Sequence, residues 1–148
     1  MERGTQLRTI VLHGKGVVGG LAEGEAMVDS ESMSAWSGID PIEGVIIDKR
    51  HALAGLSFRQ KVLVLPGGKG SNGWSIMFHI ARVAGNCPSA LIFRHIDTRT
   101  ALAAAVSHVP TVTDLNQDPI KAISNGDFVK VYADKGIVEV TKKGIGQG

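Results

Sequence analysis

A chain of 148 residues with 43% hydrophobic and 20% charged residues can bury one sizeable core and is short for two ordinary domains, so a single domain over residues 1–148 is expected. A formal net charge of +2, with no dense Lys/Arg cluster interleaved with aromatics, argues against a nucleic-acid partner. No apolar run reaches membrane-span length and Met1 to Thr5 lack the apolar core of a secretory signal, so a cytoplasmic protein without a membrane partner is expected. The single cysteine, Cys87, rules out an internal disulfide and cannot alone hold zinc or an iron–sulfur cluster, so no metal site is assigned to this chain.

In chain order, Arg8 to His13 reads as a short strand, Gly14 to Gly20 as punctuation, and Leu21 to Val28 as a second strand. From Asp29 to Gly44 the composition turns to Ser, Gly, Asp and Pro, an irregular segment that carries Trp36 and the Asp40-Pro41 turn. Val45 to Ile47 is a brief strand, and the continuous apolar run Lys61 to Leu65 predicts a strand buried on both faces. Ile76, Met77, Ile80, Val83 and Ala84 recur at helical spacing, and Gly85-Asn86 stops that helix. Ala90 to Phe93 is a further buried strand, Thr100 to His108 an alanine-rich helix, and Thr111 to Thr113 a short strand. Alternation from Asp127 to Ala133, a turn at Asp134-Lys-Gly136 and a return over Ile137 to Val140 predict a hairpin, with a mobile tail over residues 141–148. The expected class is α/β: a parallel βαβαβ middle, a β-barrel-like side and a C-terminal hairpin.

The chemistry concentrates in Leu63-Val-Leu-Pro-Gly-Gly-Lys-Gly-Ser-Asn-Gly-Trp-Ser75, a strand broken at Pro66 into a glycine-rich loop that opens a helix. Gly67, Gly68, Gly70 and Gly73 allow tight turning and close approach of a ligand, and the helix start turns free N–H groups toward the loop, an arrangement suited to an anion. Ser71 lies at the tip as either an N-cap or a reacting hydroxyl. The plainest reading is a tight connection capped by Ser71. Gly68 to Gly73 also satisfies G-x-G-x-x-G, but no acid ends the Ala90 to Phe93 strand, Arg94 suits only an NADP version, and the chain lacks room for a second nucleotide-binding half. A phosphate loop of the Walker type fails because Gly70 follows Lys69.

Gly38-Ile-Asp-Pro41, Gly44-Val-Ile-Ile-Asp48, His51 with Gly55, and Lys61-Val-Leu-Val-Leu-Pro-Gly-Gly-Lys-Gly-Ser71 together resemble the small subunit, or swivel domain, of the aconitase X family. The resemblance runs over residues 8 to 140 and implies a swivelling β/β/α domain within a two-subunit hydro-lyase. On that resemblance Ser71 is the catalytic base, with Lys69, Gly70, Asn72 and Gly73 seating the substrate. An iron or iron–sulfur centre is expected on a separate large subunit, so this chain is inactive alone. Family members dehydrate small hydroxy acids such as cis-3-hydroxy-L-proline or phosphomevalonate. Lys69 stands where the family has arginine, and a lysine meets a carboxylate as a point charge rather than as a fork. The rival readings are a non-enzymatic ligand-binding or phosphocarrier swivel domain, which would want a histidine in the loop, and the NADP module.

The remaining polar residues carry weaker expectations. Asp40, Asp48 and His51 are read as turn and loop-closing groups, with a site role or partner contact as the alternative. His79 is a surface or packing residue, while His95 and His108 have no ligand partners at metal spacing. Cys87 is a bystander, and Trp36 and Trp74 are either core or contacts to a partner subunit.

Overall fold

The computed structural model describes residues 8–34, 38–69 and 73–144, with Met33, Ser34 and Lys69 described through their backbone. The apolar runs become β3 (Leu21–Val28), β7 (Val62–Leu65), β9 (Ala90–Phe93) and β10 (Thr111–Thr113), which pair side by side in parallel. All four residues of β7 and of β9 are buried, as continuous apolar strands require when both faces are covered. The antiparallel part comprises β1 (Thr9–His13), β11 (Phe128–Tyr132) and β12 (Ile137–Thr141), where alternation leaves one face inside and one outside. With β2 (Lys15–Val18) on the far edge, the order is β1-β12-β11-β3-β7-β9-β10-β2.

This sheet is open, so the barrel-like side is a curl rather than a closed ladder. Its two edges, β1 and β2, are consecutive in sequence with only Gly14 between them. Gly14 is pinned there by its N–H to Gly136 O at 2.8 Å, and a Cβ would stand 2.5 Å from Thr113 O, so no side chain fits at the junction. The curl wraps one aliphatic cluster: Val62, Val64, Ala90 and Ile92 from the inner face meet Leu12, Val112, Val129, Val131, Val138 and Val140.

The alternate residues of the same strands, Leu63, Leu65, Leu91 and Phe93, face a second cluster that holds the helices. There α1 (Gly73–Ala84) presents Trp74 and Phe78, and α2 (Thr98–Ser107) presents Ala103 and Ala104. A capping box starts α2, with Asp97 Oδ1 accepting from Thr100 N–H and Thr100 Oγ1 from Asp97 N–H. Arg82 Nη1 ties α1 to α2 by donating to Ser107 O at 3.1 Å.

Four features depart from the sequence-based expectation. Residues 15–18, expected as punctuation, form β2, because pairing with β10 outweighs their local glycine content. The irregular segment contains β4 (Met33–Ser34) and β5 (Ile39–Asp40), paired with β8 (Gly68–Lys69) and β6 (Val45–Ile46) respectively. A short helix α3 (Pro119–Ala122) follows its N-cap Asp118. The tail is anchored at its start: Thr141 ends β12, Lys142 N–H donates to Arg8 O, and Lys143 N–H donates to Asp127 Oδ1. Residues 145–148 lie outside the described residues.

Candidate functional site

Because β3, β7, β9 and β10 run in parallel, their carboxyl ends share one edge of the sheet, where α/β proteins place their ligands. Asp29 leaves β3 there, the glycine connection leaves β7, and Arg94-His95 leave β9. Backbone bonds knit these exits together: Asp29 N–H to Val64 O at 3.0 Å, Arg94 N–H to Leu65 O at 3.0 Å, and His95 N–H to Pro66 O at 3.2 Å. β4 then pairs in parallel with β8, so the chain that leaves β3 supports the first residues of the glycine connection.

Gly68 shows that one of these glycines is a packing requirement. A Cβ on it would stand 2.7 Å from Trp74 Cε2 and Nε1 and from Thr100 Cγ2. Trp74 is itself buried, stacked on Phe78 at 5.4 Å between ring centroids and edge-on to Phe93 at 6.3 Å. It is therefore core, which decides between the two roles considered for it; Trp36 lies outside the described residues. Gly73 is buried as the first residue of α1, the N-terminal end of a 12-residue helix. Gly70, Ser71 and Asn72 lie outside the described residues, and Lys69 enters only through its backbone in β8.

Arg94 donates from Nε and Nη2 to the two carboxylate oxygens of Asp118, each at 3.0 Å. These bonds hold the Asp118 carboxyl below its ordinary range, and Asp118 Oδ1 also caps α3 through Ile120 N–H. The fork is thus spent within the fold, whereas sequence reasoning gave Arg94 a use only in a nucleotide site. His95 is exposed, with Nδ1 3.5 Å from Asp114 Oδ1.

Next to the β3 exit lies a buried polar cluster that the chain order conceals. Asp29, Asp48 and His51 are 5%, 7% and 6% exposed. His51 Nδ1 is 2.5 Å from Asp29 Oδ2 and His51 Nε2 is 3.4 Å from Asp48 Oδ2. The first is a close approach without the alignment of a hydrogen bond, and neither atom has a hydrogen-bond partner. Asp48 in turn accepts from Arg50 Nε and Nη2 at 3.0 Å and from Arg50 N–H at 3.1 Å, and these bonds hold its carboxyl down at about 2. Asp40, by contrast, is a turn residue, accepting from Ile42 N–H and Glu43 N–H at 3.0 Å each. Asp29 was not singled out from sequence; its only local signal is an acid closing an apolar strand.

The other candidates take ordinary places. His79 is exposed on α1, and His108 caps α2 in the left-handed conformation at φ 56°. Cys87 is half-buried, with burial pushing its thiol pKa up. No group of three or more His, Cys, Asp or Glu side chains among the described residues is placed to hold a metal ion, and no described helix is long and apolar enough to cross a membrane.

Residues 11–140 match the family model for the aconitase X swivel domain. The chain belongs to the aconitase X swivel-domain family. This swivel domain is 34% identical over 138 residues to the phosphomevalonate dehydratase small subunit of Methanosarcina mazei, covering 93% of this chain and 96% of that one. It is 36% identical over 130 residues to the protein of the same name from Methanocella arvoryzae, covering 88% and 98%. Among solved structures, the swivel domain superposes on holo aconitase X of Thermococcus kodakaraensis with a TM-score of 0.85 at 33% identity, covering 90% of this chain and 99% of that chain. The expected kinship and the mixed α/β class are both borne out.

Proposed function

We propose that this swivel domain is the small subunit of a two-subunit aconitase X-type dehydratase, acting with a separate large subunit on phosphomevalonate or a similar small hydroxy acid. The observation that carries the reading is that two relatives named phosphomevalonate dehydratase small subunit are 34% and 36% identical, covering 93% and 88% of this chain and 96% and 98% of their own. The geometry is consistent with it, since the glycine connection leaves a parallel strand at the shared carboxyl edge and opens the 12-residue α1.

Dehydration breaks the C–H bond next to the substrate carboxylate and the neighbouring C–O bond, forms the C=C bond and releases water. Ser71 takes the proton. A serine hydroxyl does this only as an alkoxide, so the N–H groups of the glycine connection, the N-terminal end of α1 and the charge of Lys69 stabilise the anion. The amides of Gly70 and Gly73, together with Asn72, seat the substrate carboxylate. The iron centre is assigned to the large subunit, as the family resemblance implies, and no step on this chain is routed through it.

Co-expression with the large subunit, followed by assay on phosphomevalonate and on cis-3-hydroxy-L-proline, tests the reading. The complex is expected to be active and the isolated chain inactive. In the complex, Ser71→Ala should lower kcat by about two to four orders of magnitude with substrate affinity within a few fold. It should also abolish exchange of the substrate proton with deuterated solvent; undiminished exchange means another residue takes the proton. Lys69→Ala should lose turnover while keeping its melting temperature.

A further inference from the structure

The buried Asp29, His51 and Asp48 cluster has no part in the proton transfer assigned to Ser71, yet it joins two segments that meet beside the glycine connection. One segment is the exit from β3. Asp29 prolongs the β3–β7 ladder through its N–H to Val64 O, and its Oδ1 accepts from Glu31 N–H at 2.9 Å, turning the chain toward β4. β4 pairs with β8, matching Met33 to Gly68 and Ser34 to Lys69. The other segment is a compact turn: His51 N–H donates to Asp48 O, Ala54 N–H donates to His51 O, and Leu53 enters the cluster that contains Trp74 and Phe78.

His51 is the group between them: its two ring nitrogens face carboxylate oxygens of Asp29 and Asp48 on opposite sides. Asp48 has a cationic partner in Arg50, whereas among the described residues the only basic side chain within ion-pair distance of Asp29 is His51. Removing the ring would leave the buried Asp29 carboxylate without its basic neighbour at the point where the chain turns toward β4. The strand that supports Gly68 and Lys69 would lose its fixed origin.

We propose that His51 is a positioning residue: bridging Asp29 and Asp48, it fixes the exit from β3 and, through the β4–β8 pair, sets the placement of Gly68 and Lys69, the first residues of the glycine connection. Its catalytic consequence rests on the dehydratase reading; its structural part does not.

The test uses two variants of the full chain, His51→Gln and the paired Asp29→Asn/His51→Gln, which removes the stranded charge together with the ring. Amide hydrogen exchange is read on the chain alone, and kcat and KM on the complex with the large subunit. His51→Gln should speed exchange about tenfold over residues 29–34 and 68–75 while leaving β11 and β12 unchanged. It should lower kcat about 10- to 100-fold with KM within a few fold, as misplacement of a reacting group does. The paired variant should recover exchange protection and kcat in parallel, and it serves alone if His51→Gln does not fold, its core protection then being near that of the wild type. Unchanged exchange over 68–75, or a uniform loss of stability with normal turnover per folded complex, overturns the proposal. A wild-type complex without dehydratase activity would sink the functional reading only, because exchange would still decide whether His51 orders the connection.

Discussion

The two faces of β7 and β9 open onto cores of different construction. Val62, Val64, Ala90 and Ile92 face an aliphatic cluster closed by the curl of the sheet itself, largely with valines of β11 and β12. Leu63, Leu65, Leu91 and Phe93 face a cluster that holds the buried Phe and Trp side chains among the described residues, assembled from α1, α2 and the 38–58 segment. The first is a frame built from neighbouring strands and a hairpin. The second is built from pieces distant in sequence, and Gly68 of the glycine connection packs against its Trp74. Shape-specific aromatic packing against the glycine connection couples stability to its geometry, whereas an aliphatic frame affects stability alone.

Truncation on each side should break that comparison most sharply. Trp74→Ala removes a buried ring that packs on Phe78, Phe93 and the Gly68 backbone, so it should destabilise by about 3–5 kcal/mol and lower kcat of the folded complex. Leu12→Ala in the aliphatic cluster should cost about 2–5 kcal/mol with normal turnover per folded complex. Denaturant unfolding and steady-state kinetics on the same preparations check both, and a kinetic defect in Leu12→Ala would erase the distinction.

A smaller effect is expected from adding a methyl group. Gly68→Ala forces its Cβ against the Trp74 ring and Thr100, costing about 1–3 kcal/mol from overpacking, with α1 displaced. If Gly68→Ala is neutral in thermal unfolding, the ring has room to move and the tight coupling is absent.

The smallest effect separates the two regions by pH. Asp48, beside the site, is held at about 2 by Arg50, below its ordinary 3.8. In Asp127, at the foot of the hairpin, burial opposes the charge, but bonds from Lys142 Nζ, Lys143 N–H and Ser124 N–H outweigh it and also lower the pKa. Each therefore contributes stability that is present above the ordinary carboxylate pKa and lost as pH falls through the folded value. Asp48→Asn should flatten the loss of stability between about pH 4 and pH 2 without altering stability differences above pH 5. An unchanged acid limb in an equilibrium denaturation series would show that the Arg50 bonds do not survive in solution.

Local pattern made the parallel strands, both long helices and the hairpin legible, because continuous apolar runs and helical spacing report burial directly. Pairing of two-residue strands was not legible. β4 and β8 are held by partners about 35 residues apart, and nothing in Met33-Ser34 or Gly68-Lys69 alone marks a strand. The turn role of Asp40 was readable from Asp-Pro, but Asp48 and His51 looked equally local until the fold brought Asp29 to them.

By itself, then, the sequence determined the kinship and the α/β class, and it marked the glycine-rich connection as the candidate place for chemistry, since these depend on residue type, order and local period. The tertiary structure decided that Trp74 is core, that Gly68 yields space to it, that Arg94 is occupied by Asp118, and that His51 bridges two acids. Each of these depends on side chains meeting across the fold, where burial sets the cost of an unmatched charge or an extra methyl group.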